Sequence, residues 1–185
     1  VCKHFPGRGD TTGDTHVDYA SVNKSLDELR QTELVPFRAQ IQAGAEMVMV
    51  AHISLPQVNG DDTPASMSHR IVTGLLRQEM GFDGVIITDA LDMGAVSAHY
   101  SAGEAAVRAI QAGVDMLLMP ADPRAAYDAV LAAVRSGEIP EAQLNASVAR
   151  ILALKQKYGI LSGKSLGDLS LLGSSAHQKV VNRVG

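Results

Sequence analysis

The feature that most constrains the fold is a junction that occurs twice in the chain. Residues 42–50 read Gln-Ala-Gly-Ala-Glu-Met-Val-Met-Val, and residues 111–119 read Gln-Ala-Gly-Val-Asp-Met-Leu-Leu-Met. Each copy is typical of a helix end, a glycine turn, an acidic residue and then a buried strand. Strand, loop, helix and glycine turn in tandem predict a parallel sheet with right-handed crossovers.

About four such units fit between Val1 and Tyr158. A TIM-type (β/α)8 barrel needs eight of them, typically in about 250 residues. The sequence therefore predicts an α/β fold that is half of a (β/α)8 barrel and is incomplete alone, since half a barrel leaves two sheet edges unpaired.

The elements of these units can be placed from apolar runs, caps, glycines and prolines. The expected strands are Val1–Phe5, Met47–Ala51, Gly84–Thr88 and Met116–Met119. The expected helices start at the capping box Ser25–Glu28, with a break at Pro36, and otherwise cover Ser68–Met80, Ala102–Ala112, Pro123–Ser136 and Pro140–Tyr158. The methionines of the strands are expected to fill the core.

Composition excludes several classes of function. Of 185 residues, 46% are hydrophobic and 19% charged, which suits a globular chain with a sizeable core. The net charge of -4, the absence of Trp and the 4% of aromatic residues argue against a nucleic-acid partner. No apolar segment approaches the roughly 20 residues that span a bilayer. Cys2 is the single cysteine, so no intrachain disulfide can form.

Candidate catalytic groups collect where the expected strands end, because the carboxyl ends of parallel strands share one edge of the sheet. Asp89 ends the central strand, and the glycine-rich loop from Pro6 to His16 reaches the same side. Asp14 and His16 are two residues apart, close enough for a carboxylate to orient an imidazole and raise its pKa. The other polar residues expected at this edge are Lys3, His4 and His52.

A carboxylate at a strand end and a histidine on a loop form a credible pair for displacement at a sugar carbon. Simpler interpretations stay open at this point. Asp89 could cap the following turn, Lys3 and His4 could be a solvated strand end, and Arg8 could be a surface charge.

Metal and cofactor sites are not predicted. No His-Glu-x-x-His motif or cysteine pair supports zinc. Gly7, Gly9 and Gly13 lack a following Lys-Ser/Thr, and no dinucleotide fingerprint follows a strand and opens a helix.

Three linked motifs resemble the family 3 glycoside hydrolases, in particular their β-N-acetylglucosaminidase branch. They are the stretch Lys3–Thr11 (Lys-His-Phe-Pro-Gly-Arg-Gly-Asp-Thr), then Asp14-Thr15-His16, then Ile87–Met93 (Ile-Thr-Asp-Ala-Leu-Asp-Met). The similarity extends over nearly all of residues 1–161 and implies the C-terminal half of the catalytic barrel. Residues 162–185 then resemble a linker towards a second α/β domain that this chain does not contain.

The resemblance also implies roles for these residues. Asp89 matches the nucleophile, His16 the acid/base and Asp14 the residue that orients it, whereas most retaining glycosidases use a carboxylic acid as acid/base. Lys3 and His4 match residues that hold sugar hydroxyls, and His52 is a further candidate for sugar binding. The usual motif has His where this chain has Arg8, which could still contact a substrate hydroxyl.

The activity that this resemblance implies is that of a retaining exo-β-N-acetylglucosaminidase acting on peptidoglycan or chitin fragments without a metal or organic cofactor. Its partners would be a carbohydrate that contains N-acetylglucosamine and an N-terminal half-barrel segment, with no nucleic acid and no membrane span. N-acetylglucosamine is favoured over glucose because glucosidase members lack the Asp-x-His loop. The alternatives are a phosphorylase, a β-glucosidase of the same family and a non-catalytic sugar-binding half-barrel.

Overall fold

The computed structural model describes residues 1–11, 20–163 and 171–184. It divides into two compact units, Val1–Leu154 and Lys155–Gly185. The first unit contains the sheet and the candidate site. The second contains the end of the last long helix, a 3-10 turn at Ile160–Ser162 and the helix Ser175–Val184, whose residues are exposed.

The core of the first unit is a parallel four-stranded sheet in the part of the chain that the structure describes. Its strands are β1 (Cys2–Phe5), β3 (Met47–Val50), β5 (Val85–Ala90) and β6 (Met116–Leu118), in the order β1-β3-β5-β6. Two short strands, β2 (Ala20–Ser21) and β4 (Ile53–Ser54), form a separate parallel pair. Strand order follows chain order, which is the arrangement of consecutive units in a (β/α)8 barrel and confirms the predicted α/β fold.

Helices lie between the strands along the chain and after β6. They are α1 (Leu26–Gln31), α2 (Leu34–Gln42), α3 (Pro56–Asn59), a π-helix (Arg70–Glu79), α4 (Gly94–Ser97), α5 (Ala102–Ala112), α6 (Pro123–Ser136), α7 (Glu141–Lys157) and α8 (Ser175–Val184), with a 3-10 turn at Ala65–Met67. No helix in the described ranges is both long and apolar enough to cross a bilayer.

Local sequence signals placed most of these helices correctly. The capping box is formed: the Ser25 hydroxyl accepts from the backbone N–H of Glu28, and the Glu28 carboxylate accepts from that of Ser25. The chain breaks between α1 and α2, where Pro36 lies in the first turn of α2. Helix α5 ends at Gly113, whose φ of 107° is accessible to glycine at no steric cost.

The segment that begins at Ser68 differs from the expected helix. The Ser68 hydroxyl accepts from the N–H of Ile71, as a cap should, but residues Arg70–Glu79 are π-helical. The wider turn is visible at the end, where the N–H of Met80 donates to the carbonyl of Leu75, five residues earlier. Apolar spacing indicates a helix but does not distinguish these hydrogen-bond patterns.

The two faces of strand β3 differ in burial. Val48, Val50 and Ile86 are inaccessible to solvent and belong to the main core cluster with residues of the helices. Met47 and Met49 on the alternate positions of β3 are only half-buried. The prediction that the strand methionines fill the core is therefore wrong for this chain: Met116 is also half-buried, and Met119 is 57% exposed.

Candidate active site

Two strands gain an extra residue where the candidate site lies. Cys2 pairs with Val48 and Phe5 with Val50, so three steps along β1 match two along β3. Ile87 pairs with Met116 and Ala90 with Leu118, so β5 gains one residue on β6 in the same way. An extra residue bends a strand and redirects side chains, and such bulges occur often beside active sites.

The bulges bring His4 and Asp89 together. The extra residue of β1 falls in the segment containing His4, and that of β5 falls in the segment containing Asp89. Nε2 of His4 lies 3.6 Å from Oδ2 of Asp89, although β3 lies between their strands. The two side chains are 25% and 15% exposed, so both remain accessible from solvent.

Hydrogen bonding fixes the orientation of the Asp89 carboxylate. Its Oδ1 accepts from the backbone N–H of Ala90 at 2.9 Å. Behind it, the buried Thr88 hydroxyl accepts from the N–H of Leu118, which ties β5 to β6. Oδ2 is the oxygen that faces His4.

The environment of His4 favours the neutral imidazole. Burial lowers its pKa below the ordinary value, the nearby Asp89 carboxylate opposes this shift, and the positive charges of Lys3 and Arg8 add to it. Lys3 itself is exposed and Arg8 half-buried. Asp89, Lys3 and Arg8 are thus each close enough to His4 to influence its pKa.

His52 lies under this edge of the sheet and is 1% exposed. Its Nδ1 lies 2.7 Å from the Ser66 hydroxyl, and its Nε2 lies 3.0 Å from the carbonyl oxygen of Ala90. Burial lowers the pKa of His52 despite the nearby Asp89 carboxylate. Both ring nitrogens are therefore engaged within the protein, which leaves neither free for a sugar hydroxyl in this arrangement.

The predicted dyad of Asp14 and His16 lies outside the described residues. The described part of the loop ends at Thr11, whose hydroxyl donates to the carbonyl of Arg8 at 3.1 Å. The roles of Asp14 and His16 therefore stay predictions.

The arrangement suits nucleophilic chemistry at a carbon with a developing positive charge. A partly exposed carboxylate, held by one backbone N–H and facing the imidazole of His4, can attack such a carbon or stabilise it electrostatically. Within residues 1–11, 20–163 and 171–184, no cluster of His, Cys, Asp and Glu could hold a metal ion.

Sequence reasoning missed Ser66 and the backbone of Ala90. Ser66 is fully buried in the 3-10 turn Ala65–Met67, and its N–H donates to the carbonyl of Ala51. A serine in a polar loop gives no signal of this role, because the contact with His52 spans 14 residues and depends on the folded path of the loop.

Comparisons with known proteins agree with one another. Residues 1–154 match the model of the glycosyl hydrolase family 3 N terminal domain. Beta-hexosaminidase A of Pseudoalteromonas piscicida is 36% identical over 198 residues, which cover 96% of this chain and 33% of that protein.

Solved structures give the same result. A glycoside hydrolase family 3 beta-N-acetylglucosaminidase from Paenibacillus sp. str. FPU-7 superposes with a TM-score of 0.91 at 42% identity, covering 98% of this chain and 36% of that one. The beta-glucoside phosphorylase BglX superposes with a TM-score of 0.87 at 32% identity, covering 96% and 34%. The chain thus spans about a third of the length of these relatives, and within that third it belongs to glycoside hydrolase family 3.

Proposed function

We propose that the protein carrying this chain is a retaining exo-β-N-acetylglucosaminidase that removes terminal N-acetylglucosamine from peptidoglycan or chitin fragments. Family membership and the names of the similar beta-hexosaminidases support the activity. The observation that carries the proposal is the Asp89 carboxylate, accessible at the carboxyl end of the central strand and 3.6 Å from His4.

In the first chemical step, a carboxylate oxygen of Asp89 attacks the anomeric carbon and forms a covalent glycosyl-enzyme. The bond from that carbon to the leaving oxygen breaks, and the leaving oxygen takes a proton from the imidazolium of His16. The electron pair of the broken bond stays on the leaving oxygen, so a neutral alcohol departs.

In the second step, water replaces the departed alcohol. The neutral His16 accepts a proton from water while the water oxygen bonds to the anomeric carbon and the Asp89 carboxylate leaves. Two displacements retain the anomeric configuration, and both groups return to their starting protonation states.

The remaining candidates have binding or orienting roles in this proposal. Asp14 holds His16 through its imidazole, while Lys3, His4 and Arg8 hold hydroxyls of the terminal sugar. A loop that carries the acid can bring it to the sugar after binding and exclude water.

The proposal also includes further βα units. Within the described residues, β1 and β6 are each paired on one side only, which suits docking of the N-terminal half of a barrel. We place the catalytic half-barrel at residues 1–161 and a linker towards a second α/β domain at 162–185.

The test is hydrolysis of p-nitrophenyl N-acetyl-β-glucosaminide by the protein expressed with whatever flanking sequence its gene encodes. Asp89→Ala should abolish turnover. Asp83→Ala is the matched control, since Asp83 is an exposed acid just before the opposite end of the same strand, and it should retain activity. Sugar binding without turnover in the unaltered protein would instead support a sugar-binding half-barrel.

A second candidate function is phosphorolysis, favoured by the similarity to a beta-glucoside phosphorylase. A histidine acid/base repels an incoming phosphate less than a carboxylate would. Product analysis with and without inorganic phosphate separates the two, because a phosphorylase yields the sugar 1-phosphate. Comparing p-nitrophenyl glucoside with the N-acetylglucosaminide tests the β-glucosidase alternative.

A further inference from the structure

A buried chain of hydrogen bonds leads from the polar loop after β4 to the candidate nucleophile. It begins at the Ser66 hydroxyl, continues through the imidazole of His52 and the peptide groups of Ala90, and ends at the carboxylate of Asp89. Ser66 is inaccessible to solvent and His52 is 1% exposed. Water therefore cannot easily replace these contacts.

The direction of each bond follows from the partners. A carbonyl oxygen can only accept, so Nε2 of His52 carries the proton and donates to Ala90 at 3.0 Å. In the neutral ring Nδ1 is then unprotonated and accepts from the Ser66 hydroxyl at 2.7 Å. The burial that lowers the pKa of His52 favours this neutral form.

Ala90 connects the imidazole to the nucleophile because it uses both of its peptide groups. Its carbonyl accepts from His52, and its N–H donates to Oδ1 of Asp89 at 2.9 Å. This is the residue at which β5 resumes pairing with β6 after the bulge. A bulge leaves part of the ladder unpaired, so a side chain that holds the backbone there also limits the directions in which Asp89 can point.

We infer that His52 is a positioning residue for the proposed nucleophile: by holding the Ala90 carbonyl with its Nε2–H, in a tautomer set by Ser66, it fixes the Asp89 carboxylate in its attacking orientation. This inference rests on the proposed glycosidase function. It replaces the expectation that His52 binds the sugar directly.

The inference predicts an effect on kcat with little effect on KM. A misplacement of about 1 Å in a reacting group can cost about 100-fold in rate. His52→Leu removes both bonds and should lower kcat by about 10- to 100-fold, with KM changed less than about threefold. His52→Gln restores a nitrogen donor near the position of Nε2 and should recover most of the lost kcat.

Ser66→Ala removes the hydroxyl that selects the tautomer and should give an intermediate loss of kcat. Ser54→Ala is its matched control, because Ser54 is equally buried and donates to Asp62 rather than to the chain leading to Asp89. A merely structural role for Ser66 and His52 would predict similar losses in both serine variants and no rescue by glutamine.

The experiment combines p-nitrophenyl N-acetyl-β-glucosaminide kinetics of these four variants with the ¹⁵N spectrum of the histidine side chains in the resting protein. The expected results are a kcat loss in His52→Leu, rescue in His52→Gln and an Nε2–H signal for His52. Undiminished kcat in His52→Leu, or an Nδ1–H signal for His52, would overturn the inference. The proposed function would still stand in that case, provided that the wild-type protein turns over the substrate. Absence of wild-type turnover would overturn both.

Discussion

Replacing Asp115 by Asn should be among the most destabilising single-atom changes in this chain. Asp115 precedes β6 in the second copy of the repeated junction, and its side chain is inaccessible to solvent. Oδ2 accepts from Arg77 Nη2 and from the N–H of Ile86, both at 2.8 Å. Oδ1 accepts from the Ser147 hydroxyl at 2.7 Å and from Arg150 Nη1 at 3.0 Å.

The magnitude follows from what the substitution leaves behind. Arg77 also donates to the carbonyls of Phe82 and Gly84, at 2.5 and 2.7 Å, so it cannot turn to solvent without breaking those bonds. Removing one partner of a buried ion pair costs about 3–5 kcal/mol. Asparagine keeps one acceptor oxygen, and Arg150 is one-third exposed and can reach water. We therefore expect the lower end, about 3 kcal/mol.

The assay is urea unfolding followed by circular dichroism, on the protein with its natural flanking sequence. In a thermal scan, the same loss of about 3 kcal/mol corresponds to a fall in Tm of about 6–12 °C for a domain of this size. Asp128→Asn is the matched control: Asp128 pairs with Arg124 one turn away on α6, and the two side chains are 51% and 82% exposed. That pair should contribute about 0.3–0.5 kcal/mol.

Equal effects of the two Asn substitutions would refute the reasoning. They would mean that the Asp115 carboxylate contributes no more to the free energy of unfolding than an exposed ion pair does. The stability of the sheet would then not depend on the hydrogen bonds of Asp115. A loss of unfolding free energy in Asp115→Asn that is several times the loss in Asp128→Asn would support the reasoning.

Three further predictions concern the sheet, the acid/base and acid stability. Gly84→Ala should destabilise the fold by about 1–3 kcal/mol in the same unfolding assay, because a Cβ there would lie 2.5 Å from the Glu46 carbonyl oxygen and 2.6 Å from the Phe82 ring. An unchanged urea midpoint would contradict this close packing. His16→Ala should lower turnover of aryl glycosides with poor leaving groups far more than that of p-nitrophenyl substrates, and equal losses on both would argue against His16 as the acid. Burial lowers the pKa of His52 below its ordinary value of 6.5, so the unfolded chain binds more protons than the folded one below about pH 6.5. The free energy of unfolding should therefore fall as the pH falls through that range, and His52→Gln should make this decline less steep. An unfolding midpoint with the same pH profile in His52→Gln would contradict this reasoning.

The sequence predicted the fold well because its signals are local. Glycines after helices, the capping box at Ser25 and the apolar runs are properties of short windows, and helix α6 has the predicted bounds, Pro123–Ser136. The π-helical hydrogen bonding of Arg70–Glu79 shares its apolar spacing with an ordinary helix, and that spacing could not reveal it.

The candidate site was predictable only in part. Parallel topology predicts that His4 and Asp89 lie at the same edge of the sheet. Their 3.6 Å separation depends on two bulges, which no residue pattern in the sequence predicts. The role of His52 depends on Ser66 and a backbone carbonyl, contacts between distant parts of the chain. The exposure of the strand methionines was mispredicted because an apolar run does not tell which face of a sheet is covered.

The most direct test of the central claim is to trap the covalent intermediate. A 5-fluorinated β-N-acetylglucosaminyl fluoride reacts as a substrate, but its ring fluorine destabilises positive charge at the anomeric carbon and slows release of the sugar. Incubation followed by proteolysis and mass spectrometry should find one fluorosugar on the peptide that contains Asp89, with none in Asp89→Ala. A label on another residue, or turnover without any label at Asp89, would contradict the account.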